Sequence, residues 1–193
     1  MKTLAKPFVI SAPRLLTAAD LAALPTSLPT GDVKYELNDG ELVVMAPPGD
    51  IHARKQGLAL IKLLEPAEQL GLGEWRAEVG IVLRRNPDRI VGADAAFILK
   101  ASLPVRHSPE GYLETIPELI IEIRSKNDTL LELIAKTQEY LQAGAQCVWI
   151  IEPEAQRLSA HFPDGSVSVF GPSDTLTSPL LPGFAVPLTN LLR

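Results

Sequence analysis

The sequence predicts an α/β (α+β) fold, and three observations carry that reading. Segments with helical and strand periodicity follow one another as helix, three strands, helix and strand, an αβββαβ order. Asp-Gly turns at Asn38-Asp39-Gly40 and Pro163-Asp164-Gly165 put hairpins at either end of that series. Cys147-Val148-Trp149-Ile150-Ile151 is an unbroken apolar run, as a strand covered on both faces requires. With no internal repeat or low-complexity linker, the 193 residues read as one domain spanning 1–193, its core over about 33–155.

Each element has a local reason. Prolines 7, 13, 25 and 29 forbid one long helix over 7–31, but Thr17 can cap a short one over 17–24, with Asp20 in a capping-box pattern. Tyr35-Glu36-Leu37 and Glu41-Leu42-Val43-Val44-Met45 are the strands of the first hairpin, because Asp39-Gly40 accepts positive φ. Pro47-Pro48-Gly49-Asp50 breaks the chain. A helix is expected over about 51–64, with Leu58, Ile61 and Leu64 at helical spacing and Glu65-Pro66 as its end. Strands follow near 75–84, 94–99 and 118–124, and the stretch 100–117, with three prolines, is irregular. Thr129 and Glu132 form a second capping box for a helix over 128–143, whose apolar stripe is Leu130, Leu133, Ile134, Tyr140 and Leu141 and whose stop is Gly144. After the apolar strand, 157–171 forms a hairpin, and the tail ends in a short helical turn at Leu188–Leu192.

Composition excludes several classes. No apolar run approaches eighteen residues, so no membrane span is expected, and Met1–Pro7 lacks the apolar core and cleavage site of a secretory signal. One cysteine, Cys147, allows no internal disulfide, and a reducing cytoplasm is the expected compartment. One cysteine and three scattered histidines do not compose a structural zinc site. With 18 basic against 23 acidic residues the net charge is −5, which argues against a protein gripping nucleic acid over its whole surface. A nuclease needs only a local basic patch. Arg54-Lys55, Arg84-Arg85 with Arg89, and Arg124 with Lys126 are candidates, and each reads equally as solvated surface charge.

The chemistry rests on Asp94 opening one apolar strand, Glu122 inside another, and Lys136 on the helix that follows. Burying ionised carboxylates among β-branched residues costs several kcal/mol unless a metal, a proton or a partner compensates. Ile120, Glu122 and Arg124 share one strand face, near the end where open α/β sheets carry sites. If the two strands are neighbours, Asp94 and Glu122 converge on one Mg²⁺, which accepts a few hard carboxylate oxygens and keeps waters. The ion would polarise a phosphoryl oxygen and acidify a water, and Lys136, about two turns along its helix, would stabilise the developing charge. Structural readings stand beside these. Asp94 suits a strand start, Glu122 an edge strand, and Lys136 a surface pair with Glu132 at i−4.

Tyr35-Glu36-Leu37…Asp39-Gly40-Glu41-Leu42, Asp94-Ala95-Ala96-Phe97, Pro117–Ser125, Lys136…Tyr140-Leu141…Gly144, Val148–Pro153 and Leu181-Pro182-Gly183-Phe184 occur in one order over roughly 33–190. In this they resemble the Uma2 restriction-endonuclease family of the PD-(D/E)XK nuclease superfamily. The resemblance implies a restriction-endonuclease-like core, with a mixed central sheet flanked by helices, and Mg²⁺-dependent phosphodiester hydrolysis, Mn²⁺ substituting. It implies Asp94 and Glu122 as metal ligands, Lys136 as the catalytic lysine, and Glu36 as an early acidic position of the same site or a charge beside the hairpin. The superfamily's usual lysine position holds Arg124, which stays protonated and is a poor proton carrier. Ala93 stands where the motif usually has proline. His52 could approach a phosphate or a metal-bound water, though an exposed first-turn histidine is the favoured reading, and Glu78 is a weaker candidate for the pocket.

These readings predict a Mg²⁺-dependent endonuclease acting on DNA, with a homodimer as one way to cut two strands. The alternative is a catalytically inactive nuclease-fold interaction protein, which Arg124 and Ala93 favour. RNA cleavage lacks an aromatic, basic stacking surface to support it.

Overall fold

The computed structural model describes residues 14–29, 31–45, 49–126 and 128–192. The expected chain break at Pro47-Pro48 and the readings of residues 1–13 lie outside them. Thr17 caps α1 (Ala18–Ala22): its side chain accepts the Asp20 N–H while Asp20 accepts the Thr17 N–H. A two-residue ribbon, β1 (Ser27–Leu28) with β2 (Gly31–Asp32), leads into the antiparallel pair β3 (Lys34–Asn38) and β4 (Glu41–Met45). Asp39 at φ 54° and Gly40 at φ 81° close that hairpin, as Asp-Gly should.

The next helix departs from expectation. α2 (Asp50–Ala59) runs through a π-helical turn at Leu60–Leu64 into α3 (Glu65–Gln69), so Glu65-Pro66 does not end it. Pro66 falls in the first turn of the resumed α-helix, where its missing N–H leaves no bond unmade. The wider turn also shifts the helix's phase. Leu63 and Leu64 are buried and Ile61 is 57% exposed, against the regular Leu58–Ile61–Leu64 stripe.

β5 (Gly73–Arg84) and β6 (Arg89–Leu99) form a long antiparallel hairpin. The strand expected at 94–99 therefore starts at Arg89, and Asp94 stands mid-strand rather than at its opening. Gly92 pairs with Gly80 inside the ladder, and a Cβ on Gly80 would lie 2.6 Å from the Tyr112 ring. The remaining elements are β7 (Leu119–Ile123), α4 (Leu130–Ala143), β8 (Cys147–Glu152), β9 (Arg157–His161), β10 (Val167–Phe170), the ribbon β11 (Thr175–Thr177) with β12 (Ala185–Pro187), and α5 (Thr189–Leu192). Thr129 and Glu132 make the capping box of α4, and Gly144 at φ 122° ends it. Its apolar stripe starts at Leu133, since Leu130 is 43% exposed.

Among the described residues eight strands form one mixed sheet, ordered β10-β9-β8-β7-β6-β3-β4, with β5 also on β6. Only β7 and β8 run parallel, joined by the α4 crossover. Alternation along β7 divides the core. Leu119, Ile121 and Ile123 pack with Phe97, Trp149, Leu63, Leu64 and the C-terminal residues Phe184 and Leu188, under α2 and α3. Ile120 faces the other way, with Val91, Ala93, Val148 and Ile150, under Leu133 and Tyr140 of α4. Glu122 alternates with Ile121 and Ile123, so its side chain enters the α4 side. Glu122 thus lies in a central strand, not an edge. No helix among the described residues is long and apolar enough to cross a membrane.

Candidate active site

The site begins as a gap in strand pairing. On the side of β6 away from β5, β3 takes only Ile90, through Leu37, while β7 takes Ala95–Phe97. Residues 91–94 between those contacts have no strand partner there. Buried backbone groups must still be satisfied, and side chains do it. The Gly92 N–H donates to Glu36 Oε1 at 2.8 Å, and the Gly92 carbonyl accepts from Lys136 Nζ at 2.8 Å. The Asp94 carbonyl accepts from Gln56 Nε2 at 2.8 Å. In return Asp94 Oδ2 takes the Ile123 N–H of β7 at 2.7 Å. The gap thus draws side chains from α2, β3, β7 and α4 to one place.

The four acidic and basic residues singled out in the sequence meet there. Lys136 Nζ lies 3.2 Å from Glu122 Oε1 and 3.5 Å from Glu36 Oε1. Tyr140, one helical turn beyond Lys136, donates its hydroxyl to Glu122 Oε1 at 2.7 Å. Lys136 is therefore not in a surface pair with Glu132, which serves the helix cap instead. Burial pushes the Glu122 carboxyl up to about 7, with the Asp94 charge adding to the rise and Lys136 opposing it. Burial disfavours the Lys136 ammonium, but attraction to Glu122, Glu36 and Asp94 outweighs that and holds it above the usual lysine value.

Three further residues complete the arrangement. His52 is not exposed: its side chain retains 13% of its surface, and Nε2 sits 3.0 Å from Asp94 Oδ1. That hydrogen bond raises its affinity for a proton, with burial acting against it. Among the described residues, His52 Nδ1 is buried without a hydrogen-bond partner. Gln56 lies one turn further along α2. Arg89 reaches Glu36 Oε2 at 3.6 Å, Glu139 at 2.6 Å and the Leu37 carbonyl at 3.1 Å. Sequence reasoning had put Tyr140 in the apolar stripe and Arg89 in a surface patch. His52 and Gln56, four apart on one helix face, were the available signal.

Other candidates lie elsewhere. Glu78 pairs with Lys34 at 2.7 Å on the surface. Arg124 is bound to Glu152 at 3.2 Å, and several members of the other expected basic patches are also paired within the fold. Arg84 pairs with Asp39, Arg85 with Asp88 and Glu114, and Lys55 donates to the Leu191 carbonyl.

Among the described residues no three His, Cys, Asp or Glu side chains converge on a point that could hold a metal. Asp94 and Glu122 nonetheless fit a hard divalent cation. They offer hard carboxylate oxygens, Asp94 oriented by the Ile123 N–H and Glu122 by the Tyr140 hydroxyl.

The Uma2 family model, described as "Putative restriction endonuclease", matches residues 18–189. The chain belongs to the Uma2 family. Among solved structures, the Uma2 chain is similar to a putative nuclease belonging to DUF820 from Anabaena variabilis ATCC 29413, with a TM-score of 0.73. The two are 17% identical over 92% of this chain and 97% of that one, a likeness that shows a shared fold. No curated protein sequence matches.

Proposed function

We propose that this Uma2 chain is a divalent-cation-dependent endonuclease that hydrolyses phosphodiester bonds of DNA. The observation that carries the reading is the gap at residues 91–94, which gathers Asp94, Glu122, Lys136 and Glu36 around unpaired backbone. Membership of a family whose model is described as "Putative restriction endonuclease" supports it. Asp94 and Glu122 would hold Mg²⁺, or Mn²⁺ in its place. Such an ion supplies polarisation of the phosphoryl oxygen and a more acidic water.

The chain's own residues have separable tasks. Lys136 stays an ammonium among three carboxylates, so it stabilises negative charge on the phosphate and does not act as a base. Tyr140 fixes the orientation of Glu122, and the Ile123 N–H with His52 fixes that of Asp94. A net charge of −5 confines substrate attraction to this locality. We read the chain as one domain, at work in the cytoplasm, with a homodimer supplying two sites for two strands.

Plasmid nicking with Mg²⁺ or Mn²⁺, comparing the wild type with Glu122→Gln, tests the assignment. The wild type is expected to nick and the variant to fail. Undiminished activity in the variant rejects it. A wild type that neither binds Mn²⁺ in calorimetry nor nicks supports the interaction-protein alternative.

A further inference from the structure

We infer that Glu36 is a positioning residue for Lys136 rather than a metal ligand, and that Arg89 is the second cation that fixes Glu36 in that role. The inference rests on the nuclease reading above and assigns residues within its site.

Lys136 Nζ donates to the Gly92 carbonyl at 2.8 Å and is ion-paired with Glu122 Oε1 at 3.2 Å and Glu36 Oε1 at 3.5 Å, so the three oxygens surround one ammonium. Glu36 is more fully engaged than Glu122. Its Oε1 also accepts the Gly92 N–H at 2.8 Å, and its Oε2 faces Arg89 Nη1 at 3.6 Å. Arg89 is itself pinned by Glu139 and the Leu37 carbonyl and is nearly buried. Glu36 therefore already sits between two full positive charges and a backbone donor. A divalent cation placed on it would face the repulsion of both Lys136 and Arg89.

Glu122 is the opposite case, with one ammonium, one hydroxyl and the Asp94 carboxylate nearby. Were Asp94 and Glu122 to hold a cation, Glu36 and the Gly92 carbonyl would keep the ammonium at the gap, and Lys136 would have a donor to offer a phosphate oxygen. The fold makes this arrangement possible. Glu36 comes from β3 and Gly92 from β6, strands that meet only at Leu37 and Ile90, so the carboxylate spans the opening between them.

Three readouts on Glu36→Gln, Arg89→Gln and Asp94→Asn test the inference: Mn²⁺ binding by calorimetry, kcat and KM for plasmid nicking, and reaction of Lys136 with an amine-labelling reagent read by mass spectrometry. Glu36→Gln is expected to keep Mn²⁺ affinity within about threefold while kcat falls about tenfold or more with little change in KM. Lys136 labelling should rise about threefold or more relative to the other lysines, because its ammonium is no longer held. Arg89→Gln should move the same readouts in the same direction by less, and carries the test if Glu36→Gln does not fold. Loss of Mn²⁺ binding in Glu36→Gln equal to that in Asp94→Asn would make Glu36 a ligand and overturn the inference. Unchanged kcat together with unchanged labelling would overturn it too. If the wild type neither binds Mn²⁺ nor nicks, the nuclease reading fails by itself, and labelling decides: a rise upholds the hold on Lys136, and no rise removes it.

Discussion

Glu122 and Glu152 stand on adjacent parallel strands and are almost equally buried, at 5% and 4% exposure, yet they are neutralised differently. Glu152 accepts Arg157 Nε at 2.7 Å, a second Arg157 nitrogen, and Arg124 Nη1 at 3.2 Å. Two guanidiniums, one of them bidentate, compensate one carboxylate within the chain. Glu122 has one ammonium, shared with Glu36, and a neutral tyrosine, and it faces Asp94. The comparison teaches that a buried acid is read as structural or functional from the charge around it, not from its burial. Glu152 is compensated within the chain, whereas Glu122 shares its one ammonium with a second carboxylate.

The largest effects are expected at Asp94 and Glu122, the proposed cation ligands. Asp94→Asn or Glu122→Gln should reduce plasmid nicking about 100-fold or more, read from initial rates with Mg²⁺, because each removes an oxygen donor where charge develops. Arg157→Gln, beside the compensated acid, should leave the rate within about twofold in the same assay. Next comes Lys136→Met, with a similar volume and no charge. A fall in kcat of about 100-fold, close to 3 kcal/mol of barrier, is expected, with Mn²⁺ binding retained. A rate near that of the wild type would return Lys136 to a structural role.

Stability sharpens the contrast. Arg157→Gln should cost about 1–3 kcal/mol in urea unfolding, since Glu152 keeps Arg124 but loses its bidentate partner. The smallest effect is a pH dependence. Because the folded-state value of Glu122 is raised, to about 7, its contribution to stability is complete below its ordinary value and is lost as pH rises through about 7. A bound cation needs that carboxyl ionised, so Mn²⁺ should raise Tm by a few degrees, about 2–5 °C, at pH 8 and by clearly less at pH 5.5. EDTA should reverse the rise, and an equal shift at both pH values would contradict the cause assigned to Glu122.

Much of the fold was legible. The capping boxes at Thr17 and Thr129, the Asp39-Gly40 hairpin and the covered strand at Cys147–Glu152 are local bargains between neighbouring residues, readable without tertiary knowledge. The misreadings share another origin. Pro66 is a breaker by propensity but falls where an N–H is not needed, and Asp94, expected to open its strand, stands within it because the β5–β6 hairpin extends the ladder back to Arg89. His52 was read as exposed because a first-turn histidine carries no sign of the strand it packs against. Tyr140 was read as core because its spacing is that of an apolar stripe, and only the carboxylate beneath shows that its hydroxyl is used.

By itself the sequence determined the order of elements, their caps and turns, and the inventory of acidic residues and the lysine, all products of short-range chemistry. The tertiary structure alone decided which of them meet. β3 and β7 share one side of β6 without closing it, and the Gly92 and Asp94 backbone groups that face the gap find partners among side chains from distant segments. Burial then sets the charge each side chain can carry, and burial is a property of the assembled sheet and helices rather than of any stretch of chain.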